Sequence, residues 1–302
     1  MKTRNFTSAF IPRGLIMGLI ILIRVSTLNA SGLNSLSQEA ILAINDFRFL
    51  HADSLIQTLE KTFPDHYLPY LTRANYYWWK IISENPGPDQ QQLYLNNLNN
   101  AENIIRQMVH TREYYYADVF HFINLYALRA RLDLLNGEYT KAMRHLKNCV
   151  DYIGLSLGRE EFHENFYLTS GLYNYMTDYG SKRYPFLRLY ALMYPRGNMN
   201  LGLSQLETAA RSQNLILQTE AHYFLMKIFL ELEQDHQKAL DHAKWLTEKY
   251  PGNLIYLYHY HELLSLNHQD EKANAIRELY FERIQNNIHL SPGQRMYLED
   301  LL

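Results

Sequence analysis

Cysteine, glycine, proline and long apolar runs are all scarce in this chain, and each scarcity removes a class of protein. Cys149 is the one cysteine in 302 residues, so no internal disulfide can form and no cysteine-rich metal site is available. Thirteen glycines and nine prolines are too few for the many tight turns of an all-β sandwich or barrel. The apolar run Gly14 to Ile23 would reach about 15 Å as a helix, half of a bilayer core. A stable membrane span is therefore not expected. Catalytic signatures are missing too. There is no Gly-x-Ser-x-Gly and no glycine-rich phosphate loop, and the string nearest to a zinc helix motif, His163 to Tyr167, ends in tyrosine. The carboxylate pairs Glu160-Glu161 and Glu299-Asp300 are sequence neighbours, which suits solvated helix ends better than an acid/base pair.

What is present is a foldable composition, 47% hydrophobic and 20% charged, with an excess of one residue type: 25 tyrosines. The N-terminus has the architecture of a secretory signal. Lys2, Arg4 and Arg13 precede the apolar run with no acidic residue among them, and Arg24 and the small polar stretch to Gly32 follow it. Residues 1–30 are read as a signal peptide cleaved after Ala30, and residues 31–302 as a single domain. Removing four of the 29 basic residues leaves 25 against 31 acidic ones. A net negative mature chain disfavours nucleic acid or an anionic membrane as the main partner. Export without disulfides suggests a bacterial periplasmic or secreted protein.

Behind the leader the period is helical. Ala221, Leu225, Ile228 and Leu232 form one apolar stripe, and Ala239, Leu240, Ala243 and Leu246 form the next. Only Gln234-Asp235-His236 separates the two segments, and Pro251-Gly252 ends the second, since proline cannot continue a helix and glycine caps it. That is an antiparallel helical hairpin. The spacing Ala239, Ala243, Leu246, Pro251 returns as Ala52, Ile56, Leu59, Pro64, with Ala40 twelve residues before Ala52. It returns again as Ala142, Leu146, Cys149, with Ala130 twelve before Ala142, and Ala273 lies 34 residues after Ala239. Small residues are needed where paired helices cross closely, and 34 residues is one helix–turn–helix unit.

On these positions the chain resembles the tetratricopeptide repeat family over most of residues 35–302. Lys227 and His261 depart from it by standing where the family has a small residue on the first helix. The interval from Ala142 to Gly202 exceeds one repeat, so one unit is enlarged, with breaks at Tyr184-Pro185 and Tyr194-Pro195. Gly171-Leu172-Tyr173, Pro185-Phe186-Leu187, Gly197 and Gly202-Leu203 make the chain similar to a divergent group. That group includes a fungal outer-mitochondrial-membrane protein linked to lipid droplets, and bacterial homologues. The resemblance implies an all-α, right-handed superhelical solenoid of helical hairpins whose first helices line a concave surface. Hairpins are expected at about 37–62, 67–108, 112–153, 160–213, 216–250 and 254–287, with 291–302 starting a cap.

Aromatic clusters fall on the predicted first helices: Tyr76 to Trp79, Tyr114 to Tyr116, Tyr173 with Tyr175, and Tyr256, Tyr258 and Tyr260. Neighbours on a helix differ by about 100°, so consecutive rings cannot all face one core. Some are therefore expected to line a groove, where tyrosine combines an apolar ring with a hydroxyl able to bond a peptide backbone. The candidate groove residues are Asn75, Tyr76, Trp79, Tyr115, Asn124, Arg129, Tyr173, Asn174, Tyr256 and Tyr260, and the expected partner is a protein or peptide. The alternative is a small apolar or glycan ligand held by Tyr173, Tyr175, Tyr184 and Tyr190 in the enlarged unit. No cofactor or metal is expected, since His259 and His261, two apart on a helix, point away from each other. Cys149, on a packing position, is expected to be an inert core thiol.

Overall fold

Helix starts in this chain are set by short polar side chains. Asn198, Asn214, Asp235, Asn253 and Ser291 each accept a hydrogen bond from a backbone N–H two or three residues on, satisfying donors that a first turn leaves without partners. The computed structural model describes residues 30–84, 88–110, 115–184 and 194–302. The proposed leader, Tyr114 and Tyr190 lie outside them. Every regular element among the described residues is helical: α1 (Ala30–Asn45), α2 (Phe49–Thr62), α3 (Tyr67–Ile82), α4 (Pro88–His110), α5 (Tyr116–Leu135), α6 (Tyr139–Ile153), α7 (Phe166–Arg183), α8 (Met199–Ala210), α9 (Leu215–Ile228), α10 (His236–Lys249), α11 (Leu254–Leu266), α12 (Asp270–Asn286) and α13 (Pro292–Glu299).

Consecutive helices pack in pairs, α1 with α2 through α11 with α12, at the positions the alanine register indicates. Ala40, Ala52, Ala130, Ala142, Ala239, Ala243 and Ala273 are all buried, where a methyl group lets two backbones approach. Three of the hairpins share one turn. The middle residues Phe47, Gly137 and His268 have φ of 56°, 73° and 57°. The following N–H groups of Arg48, Glu138 and Gln269 donate back to the carbonyls of Ala43, Asp133 and Leu264 at 2.9, 2.7 and 2.9 Å. This left-handed closure satisfies the last carbonyls of each first helix. Only one of the three uses glycine. At Phe47 the cost of a left-handed, non-glycine residue is offset by full burial of its ring against Phe49 and Trp79.

Lys227 occupies a position where the register calls for a small residue, and it is buried. Its ammonium is paired with Glu231 one turn further on, inside the π-turn Phe229–Glu233 that ends the α9 segment. A long aliphatic stem fills the space, and the ion pair with Glu231 offsets the cost of burying its charge.

The two ends of the array meet. Asn253 Nδ2 donates to the Asn45 carbonyl at 2.7 Å and the Gly252 N–H to Asp46 Oδ1 at 2.7 Å. Gln294 Nε2 donates to Ser83 Oγ at 2.7 Å, Ser291 Oγ to Glu84 Oε1 at 3.1 Å, and the Leu50 N–H to His289 Nδ1 at 3.3 Å. The last hairpins are therefore covered by the first, and a single hydrophobic core runs from Leu33 to Leu298. At Gly252 the approach leaves no room for a side chain, because a Cβ would strike the carbonyl oxygen of Asp46.

Gly252→Ala is thus expected to destabilise the protein by about 1–3 kcal/mol through forced backbone displacement. Gly32→Ala, where a Cβ meets nothing within 4 Å, is expected to be neutral or slightly stabilising. Urea unfolding of the two variants checks both; equal midpoints would show that the end-to-end contact carries no stability.

Candidate functional site

Helices α3, α5 (with Tyr115 at its N-cap), α7 and α11 carry the candidate groove residues, mostly inside the protein. Trp79 meets Phe47 and Tyr256 edge-on, at ring-centre distances of 5.5 and 5.6 Å. Tyr256 in turn lies 6.1 Å from both Tyr223 and Tyr250. Asn75, Trp79, Asn124, Tyr173, Asn174 and Tyr256 are all buried. These six, expected to line a groove, are packed inside the protein: Trp79 and Tyr256 lie between the N- and C-terminal hairpins, and Tyr173 and Asn174 lie against the segment around Pro195 and Gln205. Trp79 and Tyr256 consequently serve the end-to-end contact itself.

The interior is polar as well as aromatic. The Arg131 guanidinium lies 3.9 Å from the centre of the Trp78 ring, and its Nε donates to the Tyr94 hydroxyl at 3.0 Å. That hydroxyl donates onward to the Leu128 carbonyl at 2.8 Å. Burial lowers the Arg131 pKa, while Tyr94 and the fully buried Glu220 pull the other way. Burial, reinforced by Glu231 and Glu220, raises the Tyr223 hydroxyl well above its ordinary range. The amides of Asn75 and Asn124 have no hydrogen-bonding partner among the described residues, although a buried polar group left in that state costs about 1–3 kcal/mol. Apolar packing does not account for either residue.

The remaining candidates are accessible to different degrees. Tyr76, Arg129 and Tyr260 are half-buried. Tyr76 rests against Phe49 with the Lys80 ammonium 5.6 Å from its ring centre, and burial pushes its pKa up to about 12. Arg129 holds Asn99 Oδ1 at 2.9 Å and Glu102 Oε2 at 2.5 Å. Tyr115 is 59% exposed at the N-terminal end of α5. Beside it, the neighbouring Tyr116 stacks on Phe162 at 5.1 Å, and Phe162 is itself 60% exposed. Phe162, in the turn before α7, has no helical period around it to mark it in the sequence.

In the enlarged unit Tyr173 donates to the Pro195 carbonyl at 2.6 Å, and Asn174 Nδ2 donates to Gln205 at 2.9 Å. Tyr175 is buried, with its hydroxyl donating to Glu233 at 2.6 Å. Between α6 and α7 runs a cleft of about 240 Å³ lined by Met143, Leu146, Val150, Tyr173, Met176 and Tyr194. Cys149 is buried, and burial pushes its thiol up to about 12. Among the described residues no group of three or more histidine, cysteine or acidic side chains is placed to hold a metal ion. No described helix is long and apolar enough to cross a membrane.

Four histidines titrate far from their ordinary value. Burial disfavours the charged ring and lowers His66, His242 and His259 to about 4 and His222 to about 3. Unfolding returns each to about 6.5, so the unfolded chain binds more protons between those values. Stability is then fully present above pH 6.5 and is lost as the pH falls from there towards 4. Unfolding midpoints measured from pH 7 to pH 4.5 are expected to drop steadily. The slope should be shallower in His259→Gln, by an amount approaching one proton; an unchanged slope would mean that His259 is not held neutral.

No family model, curated protein or solved structure matches this chain, so the reading of the site rests on the side chains themselves.

Proposed function

We propose that the chain is an exported, non-catalytic scaffold of the tetratricopeptide-like kind, a right-handed superhelical stack of hairpins that binds a protein or peptide partner. The observation that carries this reading is the exposed aromatic patch at the N-terminal end of α5. Tyr115 and Phe162 are each more than half exposed; beside them the half-buried Tyr116 stacks on Phe162, and the buried Phe120 stacks on the half-buried His163 at 5.6 Å. Large exposed aromatics anchored on a rigid base are the composition of interface hot spots. Paired helices supply the rigid base. Docking on this rim also fits an interior that is filled.

Tyr115→Ala/Phe162→Ala is expected to keep its helical circular dichroism and melting temperature while losing at least tenfold in partner recovery. The comparison is affinity capture with the wild-type chain from the native envelope fraction, each captured partner being re-tested as a purified component. Equal recovery by a folded double variant would remove this patch from the reading.

A second reading, a carrier for a small ligand, is favoured by the α6/α7 cleft. Its lining is mostly apolar, with two methionines, a valine, a leucine and two tyrosine rings beside Lys147, Thr177 and Ser181, and suits an apolar chain with a polar head better than a sugar. A ligand that binds only the folded state raises the melting temperature. Decanol is therefore expected to stabilise the wild type, N-acetylglucosamine to have no effect, and Met176→Trp to abolish the decanol shift by filling the cleft. Absence of a shift with decanol would sink this second reading.

A further inference from the structure

His222 on α9 and His242 on α10 point their rings at one another across a hairpin. The two Nδ1 atoms are 2.9 Å apart and the ring centres 5.0 Å apart. Both rings are held by aromatic neighbours. Trp245 stacks on His222 at 4.0 Å with an interplanar angle of 3°, and Phe229 lies parallel to His242 at 5.8 Å and 4°. Both histidines are half-buried, so solvent reaches one side of the pair.

A contact of this length between two neutral rings holds one hydrogen, so one Nδ1 donates and the other presents a lone pair to it. Two imidazole nitrogens aimed at one point, with both rings held by aromatic neighbours, are the donor set of a histidine metal site.

From these contacts we infer that His222 and His242 form a two-histidine site for a divalent first-row transition ion such as Cu²⁺ or Zn²⁺, completed by water. Nitrogen–metal bonds of 2.0–2.1 Å set two tetrahedral ligands about 3.3 Å apart, with imidazole centres about 5 Å apart. The rings already stand at that separation, so binding needs only a tilt that turns the two lone pairs to a common point. The hydrogen between the two Nδ1 atoms moves through solvent to the Nε2 of the ring that carries it, and neither ring becomes charged. Burial favours the neutral form of both rings, which is the form that ligates. The carboxylate of Asp241 adds negative charge beside His242. The site is independent of the partner-binding reading and of the α6/α7 cleft.

Trp245 supplies the readout, because a Cu²⁺ ion on His222 would sit next to the indole and quench it. The full chain is titrated with CuCl₂ while tryptophan fluorescence is followed, with Trp245→Phe identifying the share of Trp78 and Trp79. A saturable loss of the Trp245 signal at about one equivalent is expected, and prior addition of ZnCl₂ should block it. Loss of an outer-shell partner alone costs 10–100-fold in metal affinity, so His222→Ala and His242→Ala should each weaken binding at least tenfold. His242→Gln serves if the alanine variant loses its helical dichroism. No saturable quenching of Trp245, or quenching of equal midpoint in folded histidine variants, would overturn the assignment.

Discussion

The contact between the Asn45–Asp46 turn and the Gly252–Asn253 turn governs the rest of this structure. It uses backbone at close range, a carbonyl meeting an amide side chain and an N–H meeting a carboxylate, and it tolerates no Cβ at position 252. Once those turns are joined, Trp79 and Tyr256 have to share the space between them, and Phe47 accepts a left-handed backbone to fill the corner. A stack of helical hairpins with free ends leaves the faces of its first helices open. Here the ends cover each other, and the same aromatic side chains become core.

The interior has an unusual chemistry. Arg131, Glu220, Lys227, Asn75 and Asn124 are all buried. Arg131 is accommodated by an aromatic face and a tyrosine hydroxyl, and Lys227 by a carboxylate one turn away. Buried charges of this sort add little net stability beside apolar residues of equal size, but breaking them is costly. They restrict the ways in which the hairpins can associate, because a misregistered pair would strand a charge.

The hairpins were legible in the sequence because their determinants are local. An alanine at a crossing point, an asparagine or aspartate before a helix, and Pro251-Gly252 after one each act within a few residues. Cys149 was legible for the same reason, as a packing position in a recurring register. What could not be read was anything that depends on residues far apart. Nothing near Trp79 announces Tyr256, a ring partner more than 170 positions away. The facing of His222 and His242 is hidden in another way. The two lie 20 residues apart on separate helices, so no intrahelical spacing relates them, and the short turn after Glu233 sets their register. Phe162 ends a single 3-10 turn, Glu160–Phe162, too short for any period to distinguish an exposed ring from a buried one.

The end-to-end contact also sets an order of events in time. Ser83 and Gln294, bonded in the folded protein, are 211 positions apart. At a synthesis rate of about 5–20 residues per second, the first hairpins wait roughly 10–40 s for the segment that covers them. During that interval Phe47, Trp79 and their neighbours present an apolar face with no partner, in a chain whose other contacts form almost at once. Helical repeats ordinarily fold quickly because their contacts are local. In this protein the last step is long-range, and the N-terminal half is the part exposed to aggregation or to a chaperone until the C-terminus arrives.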